Sequence, residues 1–211
     1  EFSYQLIETL FFGAMIAFII YNFFIFLFTK EKVYFYYIIF ILFITVNHSS
    51  YSILLSYLII DEKYIHIDAF LAIYYLSLAT IFSLLFIRTI LDIHKYKILN
   101  TLLNILISAN ILLMLLSTTE SYLIEYGTYL MFLTMLFVAY LSYYSYRKKH
   151  PIINYILPAW IINVIGLMSL AFKQYGIPNL IDYFPYFYEF SCFAEATLFS
   201  IALASKLNKT K

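Results

Sequence analysis

The chain has 211 residues, 64% of them hydrophobic and only 12% charged, and its mean hydropathy is +0.86. Such values exclude a soluble globular domain and indicate a protein built for a bilayer. A net charge of +1 names no nucleic-acid partner, and the single cysteine, Cys192, cannot form an intrachain disulfide.

Seven apolar stretches of spanning length follow one another, at about 5–28, 33–57, 69–90, 98–117, 122–145, 153–172 and 183–204. A span needs about 20 residues, and backbone groups in hydrocarbon must be satisfied inside the segment, so runs this long and continuous are helices. A barrel would show alternating segments of about ten residues, and these runs do not alternate. The connectors between them are too short to hold a folded domain. The predicted fold is therefore all-α, a polytopic bundle of seven transmembrane helices forming one domain.

Orientation follows from charge, because Lys and Arg collect on the cytoplasmic side. With the N-terminus outside, the inner loops and tail hold Lys30, Lys32, Arg88, Lys95, Lys97, Arg147, Lys148, Lys149, Lys206, Lys209 and Lys211, which is eleven of the thirteen. Lys63 and Lys173 remain outside, with Glu1, Glu8, Asp61, Glu62, Asp68, Glu120, Glu125 and Asp182. The prediction is N-out and C-in. Tyrosines at the run ends fit an interfacial belt, among them Tyr34, Tyr36, Tyr37, Tyr143, Tyr144, Tyr146, Tyr183 and Tyr186. The Arg147, Lys148, Lys149 cluster reads as a topology determinant and a contact for anionic lipid. An outside N-terminus so close to the first run, with no signal peptide, and a last helix that meets no Gly or Pro before Lys211, lead to the expectation of a domain excised from a longer chain.

The last run carries Glu195, near mid-membrane by a rise of about 1.5 Å per residue. Insertion scales charge roughly 2.5–3.5 kcal/mol for a central Asp, so an intramembrane acid is expected to face protein and to be kept for a reason, either as structural glue or as a part of signal transfer or ligand binding. Its simplest state is neutral and hydrogen-bonded to a neighbouring helix, since a lone carboxylate would be desolvated without compensation. Small residues surround it, Ser191, Cys192, Ala194, Ala196, Thr197, Ser200, Ala202, Ala204 and Ser205, which let helix backbones approach closely. Glu189 lies nearer the outer surface, within reach of water. In the second run Asn47, His48, Ser49 and Ser50 form a polar patch, either interhelical glue or a ligand contact. Asn22, Asn104, Asn110 and Asn163 read as further glue. Pro158 falls inside the sixth run, frees the carbonyl of Asn154 and marks a candidate hinge.

Enzyme chemistry finds no support. The four histidines lie at different depths, against a zinc hydrolase. Every lysine is in a loop, a tail or at a helix end, against a retinal Schiff base. Nucleophile and phosphate-loop motifs are missing from the sequence. No catalytic residue, metal ligand or cofactor is predicted.

Taken together, several residues resemble the membrane domain of the bacterial seven-transmembrane receptors with diverse intracellular signalling modules. They are Gly13, Tyr21, Asn22, Tyr34 and Tyr37 in the first two helices, then Phe86, Arg88, Leu91 and Asp92 after the third. The strongest part is Ala159, Trp160, Gly166, the run Tyr175 to Pro178, Glu195, Leu198, Ser200 and Ala202 to Ala204. Two departures stand out: Asn47 to Ser50 replace a glycine usual late in the second helix, and the glycine often found early in the last helix is missing. The resemblance implies a sensor in a bacterial inner membrane, with an extracytoplasmic domain upstream, a kinase, nucleotide cyclase or similar module downstream, and often a homodimer. The rival reading is a small transporter or channel using Glu195, against which no repeated half and no matched pair of broken helices is seen.

Overall fold

A computed structural model describes residues 2–51, 65–116, 124–174, 176 and 183–210. Among them are seven long helices and no strand: α1 (Phe2–Thr29), α2 (Lys32–Tyr51), α3 (Ile65–Ile90), α4 (Lys97–Leu116), α5 (Ile124–Arg147), α6 (Ile153–Gln174) and α7 (Phe187–Thr210). Five of them, α1, α2, α4, α5 and α7, are long and apolar enough to cross a membrane, while α3 and α6 carry the shorter apolar stretches Tyr74–Ile90 and Ile153–Ser169. The chain is an all-α polytopic membrane protein.

Four helices follow their apolar runs to within a few residues. The far end of the second run, residues 52–57, lies outside the described residues, as does the side chain of Ser50. Helix α3 starts at Ile65 rather than 69, taking in Asp68. The largest correction concerns α7, which spans 187–210 instead of 183–204. Pro185 explains the late start, because its ring disfavours helical geometry at Phe184, and a turn bonded from Phe187 N to Phe184 O precedes the helix. The late end is equally physical: Lys206, Leu207 and Lys209 are good helix formers and carry the backbone ladder beyond the apolar run.

The chain clusters into two compact units, residues 19–138 and residues 1–18 with 139–211. In the first unit α2 packs along α3 and α3 packs on α4, the 3-10 turn Ile93–Lys95 touching both. Val33, Tyr34, Tyr37 and Ile41 of α2 are buried with Leu84, Phe86, Ile87 and Ile90 of α3. Tyr37 and Phe86 meet with ring centroids 5.3 Å apart. Arg88 Nη1 donates to Asn104 Oδ1 at 3.2 Å, tying α3 to α4. Leu99, Leu103, Leu106 and Asn110 make the buried stripe of α4.

In the second unit α6 packs along α7. Phe18 of α1 meets Phe193 of α7 at 5.8 Å between centroids. Leu141, Ser142 and Ser145, near the end of α5, are buried. In the first unit, large apolar side chains on α1, α4 and α5, such as Phe24, Phe28, Ile105, Leu112, Phe132 and Leu136, are exposed, as befits helices of a membrane protein.

Candidate functional site

The antiparallel seam between α6 and α7 holds Glu195, and the two helices that form it also carry Glu189 and Pro158. Ile156, Ala159, Trp160, Asn163 and Ser169 recur on α6 at helical spacing and are buried, as are Ser191, Cys192, Glu195, Ala196, Phe199, Ala202 and Leu203 on α7. Three contacts at successive levels fix the register: Gly166 against Ser191, Asn163 against Glu195, and Trp160 against Phe199, residue numbers falling on α6 as they rise on α7.

At the first level the helices approach very closely. A Cβ added to Gly166 would lie 2.7 Å from Ser191 Cβ and 3.9 Å from Tyr188 Cα. The Ser191 hydroxyl donates to the Tyr188 carbonyl at 2.7 Å, within its own helix, so this contact is one of shape rather than hydrogen bonding. Close approach of the two backbones at this level rests on Gly166 of α6.

At the second level Asn163 Nδ2 donates to Glu195 Oε2. Glu195 is 2% exposed, and its other oxygen, Oε1, has no partner among the described residues. One arm of the acid is therefore committed to α6 and the other is uncommitted. At the third level Trp160 and Phe199 rings lie 6.1 Å apart, and Trp160 Nε1 is a buried donor with no partner among the described residues.

The other predicted residues are distributed as follows. Glu189 is 9% exposed, in the first turn of α7, and so is largely packed in protein. An acid there complements the positive end of the helix dipole. Pro158 stands inside α6, which continues through it as one helix from Ile153 to Gln174. Asn47 and His48 are buried in α2, in the other unit, with Ser49, whose hydroxyl donates to Val46 O at 2.6 Å. Arg147, Lys148 and Lys149 close α5 and are exposed.

The amides do not behave alike. Asn163 bridges two helices and Asn104 accepts from Arg88, but Asn110 Nδ2 donates to Leu106 O at 2.9 Å in its own helix and is not bonded across by that group. Two features escaped the sequence reading. Glu8, counted only as an outer charge, is 1% exposed in α1. Pairing of Asn163 with Glu195 was not foreseen either, although counting residues from the α6–α7 connector places them at similar depth.

Among the described residues no group of three or more His, Cys, Asp or Glu could hold a metal. The seam offers an acid with an amide partner in a tightly packed, apolar surround, an arrangement suited to a conformational contact. No curated protein and no solved structure matches the chain. The 7TM diverse intracellular signalling family matches residues 4–206, and the chain belongs to that family of membrane domains.

Proposed function

We propose that this domain relays an extracytoplasmic signal across a bacterial inner membrane by a shift of α7 against α6. The observation that carries the reading is the buried bond from Asn163 to Glu195, an interhelical contact that a shift of α7 against α6 would break. An acid at this depth costs enough to be kept for function. Family membership supports a signalling role. Helix α7 extends from beside the α6–α7 connector past Glu195 to Thr210, so motion of its outer half is transmitted along a rigid rod of 24 residues.

In this reading the N-terminus is outside and the C-terminus inside, the orientation that places eleven of the thirteen Lys and Arg in the cytoplasm. A sensor domain precedes the chain and an output module, a kinase or nucleotide cyclase among the options, follows it. The input acts by favouring one of two α7 positions, and only a ligand with different affinity for the two can bias them. Tethering α6 to α7 tests this. In full-length protein carrying Cys192→Ala, Trp160→Cys and Phe199→Cys, bridging the two thiols with a short bis-methanethiosulfonate should freeze the output of the downstream module and reduction should release it. Output that still responds while the crosslink is verified would remove α7 motion from the mechanism.

A further inference from the structure

A cleft of about 540 Å³ lies where α5 hands over to α6, lined by Tyr146, Arg147, Lys149, His150, Ile153 and Asn154, with Pro151 at its edge. The turn that makes it is a specific one. His150 N donates to Ser145 O at 3.0 Å and Lys149 N to Tyr146 O at 2.9 Å, with Lys149 in the left-handed region at φ 54°. These two bonds are the pair that ends a helix in a Schellman motif, whose left-handed position glycine usually fills.

The turn sorts the three cations. Arg147 and Lys149 line the cleft, whereas Lys148 does not: its ammonium sits 5.8 Å from the centroid of the Tyr144 ring. No carboxylate lines the cleft, and no ion pair neutralises Arg147 or Lys149 among the described residues. The first turn of α6, at Ile153 and Asn154, borders the same space and adds the positive end of a 22-residue helix. The cleft therefore holds positive charge with nothing to offset it, beside the buried apolar side chain of Ile153. It also sits at the end of the Tyr129–Arg147 candidate span, where the apolar run gives way to cations.

We propose that this cleft binds a phosphate group, and that the group belongs to the headgroup of an anionic phospholipid. A guanidinium and an ammonium suit phosphate oxygens, and the exposed Tyr146 ring suits the start of a lipid's glycerol and acyl region. Placement at the membrane edge favours a lipid over free phosphate as the source.

The test uses the intact protein in nanodiscs of phosphatidylcholine mixed with phosphatidylglycerol, released into detergent for native mass spectrometry of retained lipid. The parent should retain phosphatidylglycerol selectively. Arg147→Gln with Lys149→Gln should cut that retention by about tenfold or more, two juxtamembrane charges being lost. Lys148→Gln should reduce retention by no more than about fivefold, clearly less than the cleft pair, its charge lying outside the cleft. Circular dichroism checks folding, and Arg147→Gln alone replaces the double variant if that variant does not fold. Equal retention by the folded cleft variant, or equal loss with Lys148→Gln, would overturn the site. Displacement of the lipid by millimolar inorganic phosphate would assign the cleft to free phosphate and overturn the lipid source.

Discussion

Gly166 of α6 and Ser191 of α7 occupy one crossing point, where a methyl group on the glycine would lie 2.7 Å from the serine Cβ. Carbon atoms prefer about 3.5–4.0 Å, so Gly166→Ala requires the helices to part by roughly 1 Å. In water the same change would normally favour a helix by about 1 kcal/mol. Here overpacking should win, with a net loss of about 1–3 kcal/mol in reversible unfolding from detergent micelles. The double variant Gly166→Ala, Ser191→Gly should recover most of it, because the two sites share one contact. An additive cycle would mean that the crossing is looser than the geometry states.

Lys149 raises the opposite expectation. Its left-handed backbone, at φ 54°, is a conformation that costs a residue with a Cβ roughly 1–2 kcal/mol and glycine little. Lys149→Gly should therefore raise the thermal midpoint of the purified protein, by an amount corresponding to about 1 kcal/mol. It should do so while weakening lipid retention at the neighbouring cleft, a separation of stability from binding that a merely structural lysine would not give. A lowered midpoint would mean that the lysine side chain holds the turn by contacts worth more than the strain.

Orientation is tested by chemistry at the loops. In a Cys192→Ala background, a single cysteine at Asp61 or Asn179, both outside the described residues, should react with an impermeant reagent in intact cells, and one at Lys148 should react only after lysis. Labelling at Lys148 in intact cells would reverse the N-out orientation.

What the sequence made legible follows from what hydropathy measures. Seven apolar runs locate the seven helices because each helix must satisfy its backbone within one segment. Their ends are less legible, since apolarity and helicity are different properties: Phe184 is apolar but precedes Pro185, while Lys206 is polar and helical. Helix faces are harder still. In a soluble helix the polar side marks the exposed face, but in lipid both faces are apolar, so periodicity does not say which side of α6 meets α7. Only the rare polar or tiny residues break that symmetry, and Asn163 and Gly166 lie three apart on one face for that reason. Glu195 stood out because its burial is expensive. Its partner did not, because an asparagine can equally turn back on its own helix, as Asn110 does.

The decisive variants are at Glu195 itself. Glu195→Gln keeps the size and hydrogen-bonding capacity of the neutral acid, so the protein should insert, fold and respond much like the parent. Glu195→Leu removes the acceptor for Asn163, and interhelical hydrogen bonds of this kind average about 0.6 kcal/mol, so expression and stability should fall only slightly. Output should change far more than stability. If the Asn163 contact exists in one α7 position and not in the other, its loss shifts the resting balance, and the full-length protein should become fixed on or off. Asn163→Leu should then displace output in the same direction, since it deletes the same bond from the other side, and the double variant should add little to either. A Leu variant that still responds normally would reduce Glu195 to packing. Proton-coupled flux through the parent, abolished even by the Gln variant, would instead identify a transporter, because glutamine can hold the hydrogen bond but cannot carry the proton.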